Sequence, residues 1–311
     1  MKLASYFRKL YLTIGSSWFK QYSFLEPNLY LFNLDPSQLP KLQKICFELN
    51  NSEFMHLGDH LFFLPLIKSF QERGYQVEAR VSPAMYPVFK KLGLPVVLEL
   101  APYEQYDLVI SRFELMTELS HFKTLLVHVS QNLTMPICSQ LLSSFSRYFD
   151  KPLNSRVNFK GLTNPEILLK LGLPQNKKLL LFNPYCNSSS YLINRAKKKR
   201  LVELVQSHAK DPEIKVVVLG TDQDKIKDKS QFKFEHFDLR GKTTALDIFE
   251  LVNNPRTTLY VGFDAFVMHV FSLLGKNSWV LFRGRLTKKQ SEMLKQFHVN
   301  LFSDHQFVTL V

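Results

Sequence analysis

The chain has 311 residues, 45% of them apolar, with 11 glycines and three cysteines. This length and apolar content suit two ordinary α/β domains, or one large one, and exclude a chain dominated by disorder. Lysine and arginine (40) exceed aspartate and glutamate (27) by 13, a surplus that favours an anionic partner such as nucleic acid, a phosphorylated substrate or an acidic membrane surface.

Cys46, Cys138 and Cys186 have neither metal-ligand spacing nor the density of a disulfide framework, which fits a reducing cytosolic setting. No apolar run reaches the length of a membrane span. The first residues, MKLASYFRKLYLTIGSSWFKQY, mix Lys and Arg with aromatic residues too finely for a signal peptide. On a helix they put Phe7, Leu10, Tyr11 and Ile14 on one side, flanked by Lys2, Arg8 and Lys9. That arrangement suits either an anionic bilayer surface or packing on the protein's own body.

A stretch punctuated by Pro27, Pro36 and Pro40 reads as a linker, and strand and helix signals alternate after it. LQKICFEL reads as the first strand, and residues 61–73 as a helix with Gly74 near its end. YQVEARVS is an alternating strand, MYPVFKKLG a short helix closed by Gly93, and VVLEL, YDLVISR and KTLLVHVS are three further strands. A second series starts near Pro174. KKLLLFNPY is a strand opening into the polar loop CNSSSYLIN, and residues 195–208 form a basic amphipathic helix. IKVVVLGTD and KFEHFDLRGKT carry strands, ALDIFELVNN a helix, TTLYVGFD a strand and FVMHVFSLLG a helix; NSWVLFRG and TKKQSEMLKQF read as a last strand and helix. Repeated β-then-α units predict parallel sheets with helices on both faces. The expected division is a basic aromatic extension (1–42), a Rossmann-like domain (43–160) and a second one (161–311), with the boundary between Asp150 and Pro174.

Two of the strand-to-helix turns carry a carboxylate, at Asp59 in HLGDHLFFLPLIKSF and at Asp264 in VGFDAFVMHVFSLLGK. Ligands of open α/β sheets bind at the carboxyl ends of strands, so two such turns predict two sheets facing a cleft. Asp59 is either a helix cap or a group with chemistry to perform. Asp264 has the same two readings, and the helix after it offers backbone amides to a diphosphate. Further strand ends hold the Asn183–Ser190 loop with Ser188, then Arg195 and a Lys197–Arg200 basic run, then Gly220-Thr221-Asp222 and Arg240-Gly241-Lys242. No GxGxxG or GxxxxGK[ST] loop, GxSxG elbow or zinc cluster is present, no DxD-like pair sits in an apparent metal site, and no nucleic-acid recognition motif accompanies the charge.

HLGDHLFFLPLIKSF, together with DLRGKTTALDIFELVNNPRTTLYVGFDAFVMHVFSLLGK, resembles the paired motifs of the ADP-heptose:lipopolysaccharide heptosyltransferase family, with Asp264, Met268 and His269 at matching spacing. The resemblance covers residues 44–282. It implies a GT-B fold, in which two Rossmann-like domains face a central cleft. It also implies an inverting, metal-independent transferase with no cofactor beyond a nucleotide-sugar co-substrate, ADP-linked. By motif match Asp59 would be the catalytic base, with Gly58 and His60 bordering the acceptor. Asp264, Ala265, Phe266 and His269 would hold the donor, with Ser188, Arg195, Asp222 and Lys242 around it. The implied acceptor is an anionic lipopolysaccharide or lipooligosaccharide core on the cytoplasmic face of the inner membrane, with the N-terminal segment on that surface. The alternatives are a GT-B enzyme with another nucleotide-sugar, or a non-catalytic paralogue binding a glycolipid or protein. The chain departs from the family at Phe266, where glycine is usual, and at FRGRLT, which carries Arg283 and Arg285. A bulky residue at 266 is expected to narrow the approach to the diphosphate.

Overall fold

In this computed structural model, residues 22–26, 29–50, 56–112, 115–127, 136–149, 153, 157–185, 195–227, 232–282 and 308–310 are described. The expected amphipathic N-terminal segment, the loop bearing Ser188, the arginines 283 and 285 and the last helix lie outside them. The first half builds a seven-stranded sheet from β1 (Tyr22–Glu26), β2 (Leu29–Phe32), β3 (Lys44–Glu48), β4 (Gln76–Arg80), β5 (Val96–Val97), β6 (Leu108–Arg112) and β7 (Thr124–Val127), in the order β1-β2-β7-β6-β3-β4-β5. The second half builds a six-stranded, all-parallel sheet from β8 (Lys178–Asn183), β9 (Ile214–Val218), β10 (His236–Asp238), β11 (Thr257–Phe263), β12 (Ser278–Leu281) and β13 (Val308–Leu310), in the order β10-β9-β8-β11-β12-β13. Central strands such as β6, β7 and β8 are near-continuous apolar runs because helices cover both sheet faces.

The linker reading is corrected by β2. Leu29–Phe32 is wholly buried and pairs antiparallel with β7, while β1 pairs antiparallel with β2.

The helices are α1 (Leu57–Glu72), α2 (Tyr86–Lys91), α3 (Met116–Leu119), α4 (Ile137–Ser146), α5 (Ile167–Lys170), α6 (Arg195–His208), α7 (Asp222–Lys227), α8 (Ala245–Asn253) and α9 (Phe266–Leu273). None of the described helices is long and apolar enough to cross a membrane. Helix α1 starts four residues earlier than the periodicity predicts, so Gly58 and Asp59 belong to its first turn. It also runs through Pro65, which has no N–H for the Leu61 carbonyl. The buried Cys138 thiol of α4 lies 3.9 Å from that carbonyl oxygen and 3.7 Å from that of Phe62, and serves as the substitute donor. Burial pushes the Cys138 thiol's pKa far up, as suits a structural role. Many of the phenylalanines pack in the core: the Phe70 ring meets those of Phe47, Phe145 and Phe149 edge-on.

One apolar cluster contains residues of both halves, from Ile45 and Phe89 to Phe249 and Phe271. Helix α8 is the bridge. Its buried Glu250 accepts from Lys91 of α2 at 2.5 Å and from Asn164 at 2.9 Å, and its buried Asp247 pairs with Lys170 at 2.6 Å. Asn253 donates to the Phe159 carbonyl, and the Phe159 and Phe249 rings stack. Glu250→Ala removes the Lys91 contact across the halves together with the Asn164 bond and is expected to cost about 1–3 kcal/mol. A urea titration reads this as a lower midpoint, and an unchanged midpoint would show that α8 is held by apolar packing alone.

Candidate active site

A cleft of about 410 Å³ opens between the two sheets, a size suited to a small ligand. Its walls are the starts of four helices. These are His56–Asp59 at α1, Gly220, Thr221 and Asp224 at α7, Thr243–Ala245 at α8, and Asp264–Val267 at α9, completed by Asn183, Tyr185 and His269. The two aspartate-bearing turns, far apart in sequence, therefore line one cavity.

They meet because α1 and α9 approach closely. A β-carbon added at Gly58 would lie 3.0 Å from Cδ2 of His269, and the Phe62 and His269 rings stand edge to face at 5.4 Å. Gly58 thus serves the contact between halves as well as bordering the cleft. His269 is buried within that contact.

Three of the four helix starts are closed by an acid in their first turn. Asp59 Oδ2 accepts the His56 amide at 2.9 Å. Asp224 Oδ2 accepts the Thr221 amide at 2.7 Å, and Asp247 Oδ2 accepts the Thr244 amide at 2.9 Å, each with a reciprocal threonine bond. Helix α9 differs. Its cap is Ala265, which has no side-chain oxygen to offer, so the amides of Phe266 and Val267 stand outside the helix's own ladder, and both residues line the cleft. Asp264 precedes this cap and does not perform it.

Asp59 is both cap and cleft residue. Its Oδ2 also pairs with Arg112 Nη1 at 2.8 Å. Lys197 of α6 donates to the Phe282 carbonyl; burial pushes its pKa down, with Asp264 pulling the other way. Arg240 is buried against Asp238, holding that carboxyl down to about 2, and donates to the Tyr185 hydroxyl at 2.8 Å. Tyr185 is thereby fixed as part of the cleft wall. The described lining carries three carboxylates and no lysine or arginine, and the helix starts bring partial positive charge to it. Among the described residues no group of three His, Cys, Asp or Glu side chains is placed to hold a metal ion.

Asp59, Gly58, Asp264, Ala265, Phe266 and His269 all line the cleft, whereas His60, Asp222 and Lys242 do not. His60 is fully buried: its Nδ1–H donates to the His56 carbonyl at 3.0 Å and its Nε2 accepts the Ser82 amide at 3.2 Å. Both ring nitrogens are committed to the fold, which corrects the expectation that it borders the acceptor. Asp222 is exposed and sits against Gly241, whose added β-carbon would fall 1.8 Å from its Oδ1; Asp224, one helical step on, faces the cleft instead. Lys242 is exposed, and the two threonines after it take the wall position. Arg195 begins α6, with its side chain outside the described set, as is Ser188. The Phe266 ring meets the Phe249 ring of α8 edge-on at 6.0 Å, so the bulk at this position is partly absorbed between two helices. Thr221-x-x-Asp224 and Thr244-x-x-Asp247 were visible in sequence as capping boxes. Nothing local marks Arg112.

No protein-family model matches the sequence, and no curated protein matches it. Solved structures do. The chain superposes on E. coli ADP-heptose lipopolysaccharide heptosyltransferase II with a TM-score of 0.58 at 12% identity, covering 86% of this chain and 90% of that one. The glycosyl transferase family 9 protein of Veillonella parvula gives 0.59 at 12% identity, covering 88% and 86%. E. coli heptosyltransferase WaaC, solved with ADP, gives 0.56 at 12% identity, covering 86% and 93%. At this identity the likeness is one of fold: two parallel-rich sheets in the GT-B arrangement.

Two predictions follow from the geometry. Gly58→Val forces a side chain into the buried His269 ring and is expected to cost about 1–3 kcal/mol. His269→Ala in the same chain should recover part of that loss in thermal melts, and additive losses would deny the contact. Burial holds the His60 pKa below the ordinary 6.5, so the unfolded chain takes up the proton first. Stability should therefore be complete above about pH 6.5 and fall as the pH drops below it. His60→Asn should flatten that slope in denaturation between pH 6.5 and 5, and a retained slope would assign it to other groups.

Proposed function

We propose that this protein is an inverting glycosyltransferase that moves a sugar from a nucleoside-diphosphate donor to an anionic glycolipid. The observation that carries the reading is that the start of α9, which has no side-chain cap, and Asp59 line the same cleft from opposite halves. A diphosphate at α9 would accept from the Phe266 and Val267 amides and gain from the helix dipole, about 0.3–2 kcal/mol for a terminus of this kind. Asp59, across the cleft, would take the proton of the acceptor hydroxyl as its oxygen attacks the anomeric carbon. The electron pair of the breaking carbon–oxygen bond leaves with the diphosphate, whose growing charge the α9 amides stabilise. Attack from one wall and departure toward the other inverts the anomeric centre. Asp264 lies ahead of α9, where a donor ribose or sugar hydroxyl would meet an acceptor oxygen.

The donor is read as ADP-linked heptose, supported by the paired motifs and by the fold shared with two heptosyltransferases, one of them solved with ADP. The acceptor is read as a lipopolysaccharide or lipooligosaccharide core, consistent with the surplus of 13 positive charges. The basic aromatic residues before position 22 would then place the enzyme on the cytoplasmic face of the inner membrane.

Asp59→Asn tests the reading. With ADP-heptose and a truncated lipooligosaccharide, transfer is expected to fall by about 10² to 10⁴. ADP, and neither UDP nor CMP, should raise the melting temperature of wild type and variant alike. Unchanged transfer in the variant would remove Asp59 as the base, and a shift with UDP alone would replace the donor.

A further inference from the structure

We infer that Arg112 is a positioning residue for Asp59 and that it selects Oδ1 as the oxygen that receives the acceptor's proton; this rests on the reading of Asp59 as the base. Arg112 is the last residue of β6, at the carboxyl end of a strand next to β3. Its Nη1 lies 2.8 Å from Asp59 Oδ2, with 14% and 17% of the two side chains exposed. The same Oδ2 accepts the His56 amide at 2.9 Å.

With an amide nitrogen and a guanidinium nitrogen both within 2.9 Å, Oδ2 has little room for a third donor. Oδ1 has no such partner among the described residues, and Asp59 borders the cleft. The capping bond alone would leave the carboxylate free to turn about its last torsion, which is broad for aspartate. The guanidinium approaches from the sheet, and the amide from the helix's own cap. Together they hold the plane of the carboxylate and leave Oδ1 for the cleft.

In the transfer step the acceptor O–H proton moves to Oδ1, the acceptor oxygen bonds to the anomeric carbon, and the bond from that carbon to the diphosphate oxygen breaks with its electron pair. Arg112 stays protonated throughout, since its guanidinium does not deprotonate in proteins. It touches neither substrate nor the reacting atoms, and acts only through Asp59.

The test compares Arg112→Gln and Arg112→Lys in the full chain, with ADP-heptose and a truncated lipooligosaccharide for turnover and ADP for binding. Arg112→Gln is expected to lower kcat about 10²-fold, the order of loss that a misplaced catalytic group produces, with the donor KM and the ADP affinity unchanged. Arg112→Lys, which keeps a cationic donor, should recover part of kcat. In an Asp59→Asn background, Arg112→Gln should have no further effect. If Asp59→Asn abolishes transfer while Arg112→Gln keeps wild-type kcat, the positioning role falls and the base assignment stands. If the donor KM rises and the ADP affinity falls together with a lower kcat, or the lysine variant is no better than glutamine, Arg112 is a structural residue and the inference is overturned. If wild type transfers no sugar, or Asp59→Asn transfers normally, the base assignment fails and takes this inference with it.

Discussion

The site depends on one close approach, the packing of the first turn of α1 against α9 with Gly58 set against His269. Helix starts carry partial positive charge, and here four of them converge on one cavity. Such an arrangement is unfavourable unless negative charge is supplied. The chain supplies it in two ways. Asp59, Asp224 and Asp247 each close their own helix, and Asp264 stands before the fourth. Among the described residues, α9 is the one of the four starts with neither a side-chain cap bond nor a capping box. The asymmetry matters because a ligand phosphate must compete with built-in carboxylates at three helix ends and with none directly bonded at the fourth.

The same packing explains how Phe266 is accommodated. Its ring occupies the first position of α9 and meets Phe249, which stacks on Phe159 of the connector between the halves. An aromatic row thus runs from the cleft wall to the chain crossing. Helix α8 carries its middle member and also the acids that reach Lys91, Asn164 and Lys170. The helix whose start walls the cleft therefore also ties the two sheets together through Lys91, so cleft wall and inter-half contact share one element.

Much of this was legible in the sequence, for identifiable reasons. Buried strands such as KICFE and TLYVGF announce themselves as apolar runs, and the basic helix at 195–208 by its period. The glycines at 74 and 93 adopt φ of 85° and 70° just past helices, the left-handed conformation that glycine tolerates best. What failed was set by contacts that local pattern does not encode. Leu29–Phe32 is only four residues long and flanked by prolines, and it is its place between β1 and β7, the latter nearly a hundred positions on, that makes it a strand. His60 and Asp59 are neighbours, but the helix turns one into the core and the other to the cleft, and the early start of α1 decides which. Asp222 and Asp224 exchange roles for the same reason: the capping threonine, not the strand end, sets where α7 begins.

Arg112 marks the limit of reading from sequence. Fifty-three positions separate it from Asp59 (112 − 59 = 53), and nothing in YDLVISR distinguishes the last residue from a solvated strand end. The sheet order explains the pairing. β6 lies beside β3, and the chain leaving β3 returns as α1, so the end of one strand stands next to the start of the helix that follows its neighbour. Any doubly wound sheet creates that adjacency, and an arginine there can reach a carboxylate in the helix's first turn. The cap bond fixes where the carboxylate is, and the arginine fixes which way it faces. An aspartate held in only the first way would be a helix cap that happens to border a cleft; held in both, it presents one defined oxygen to whatever enters.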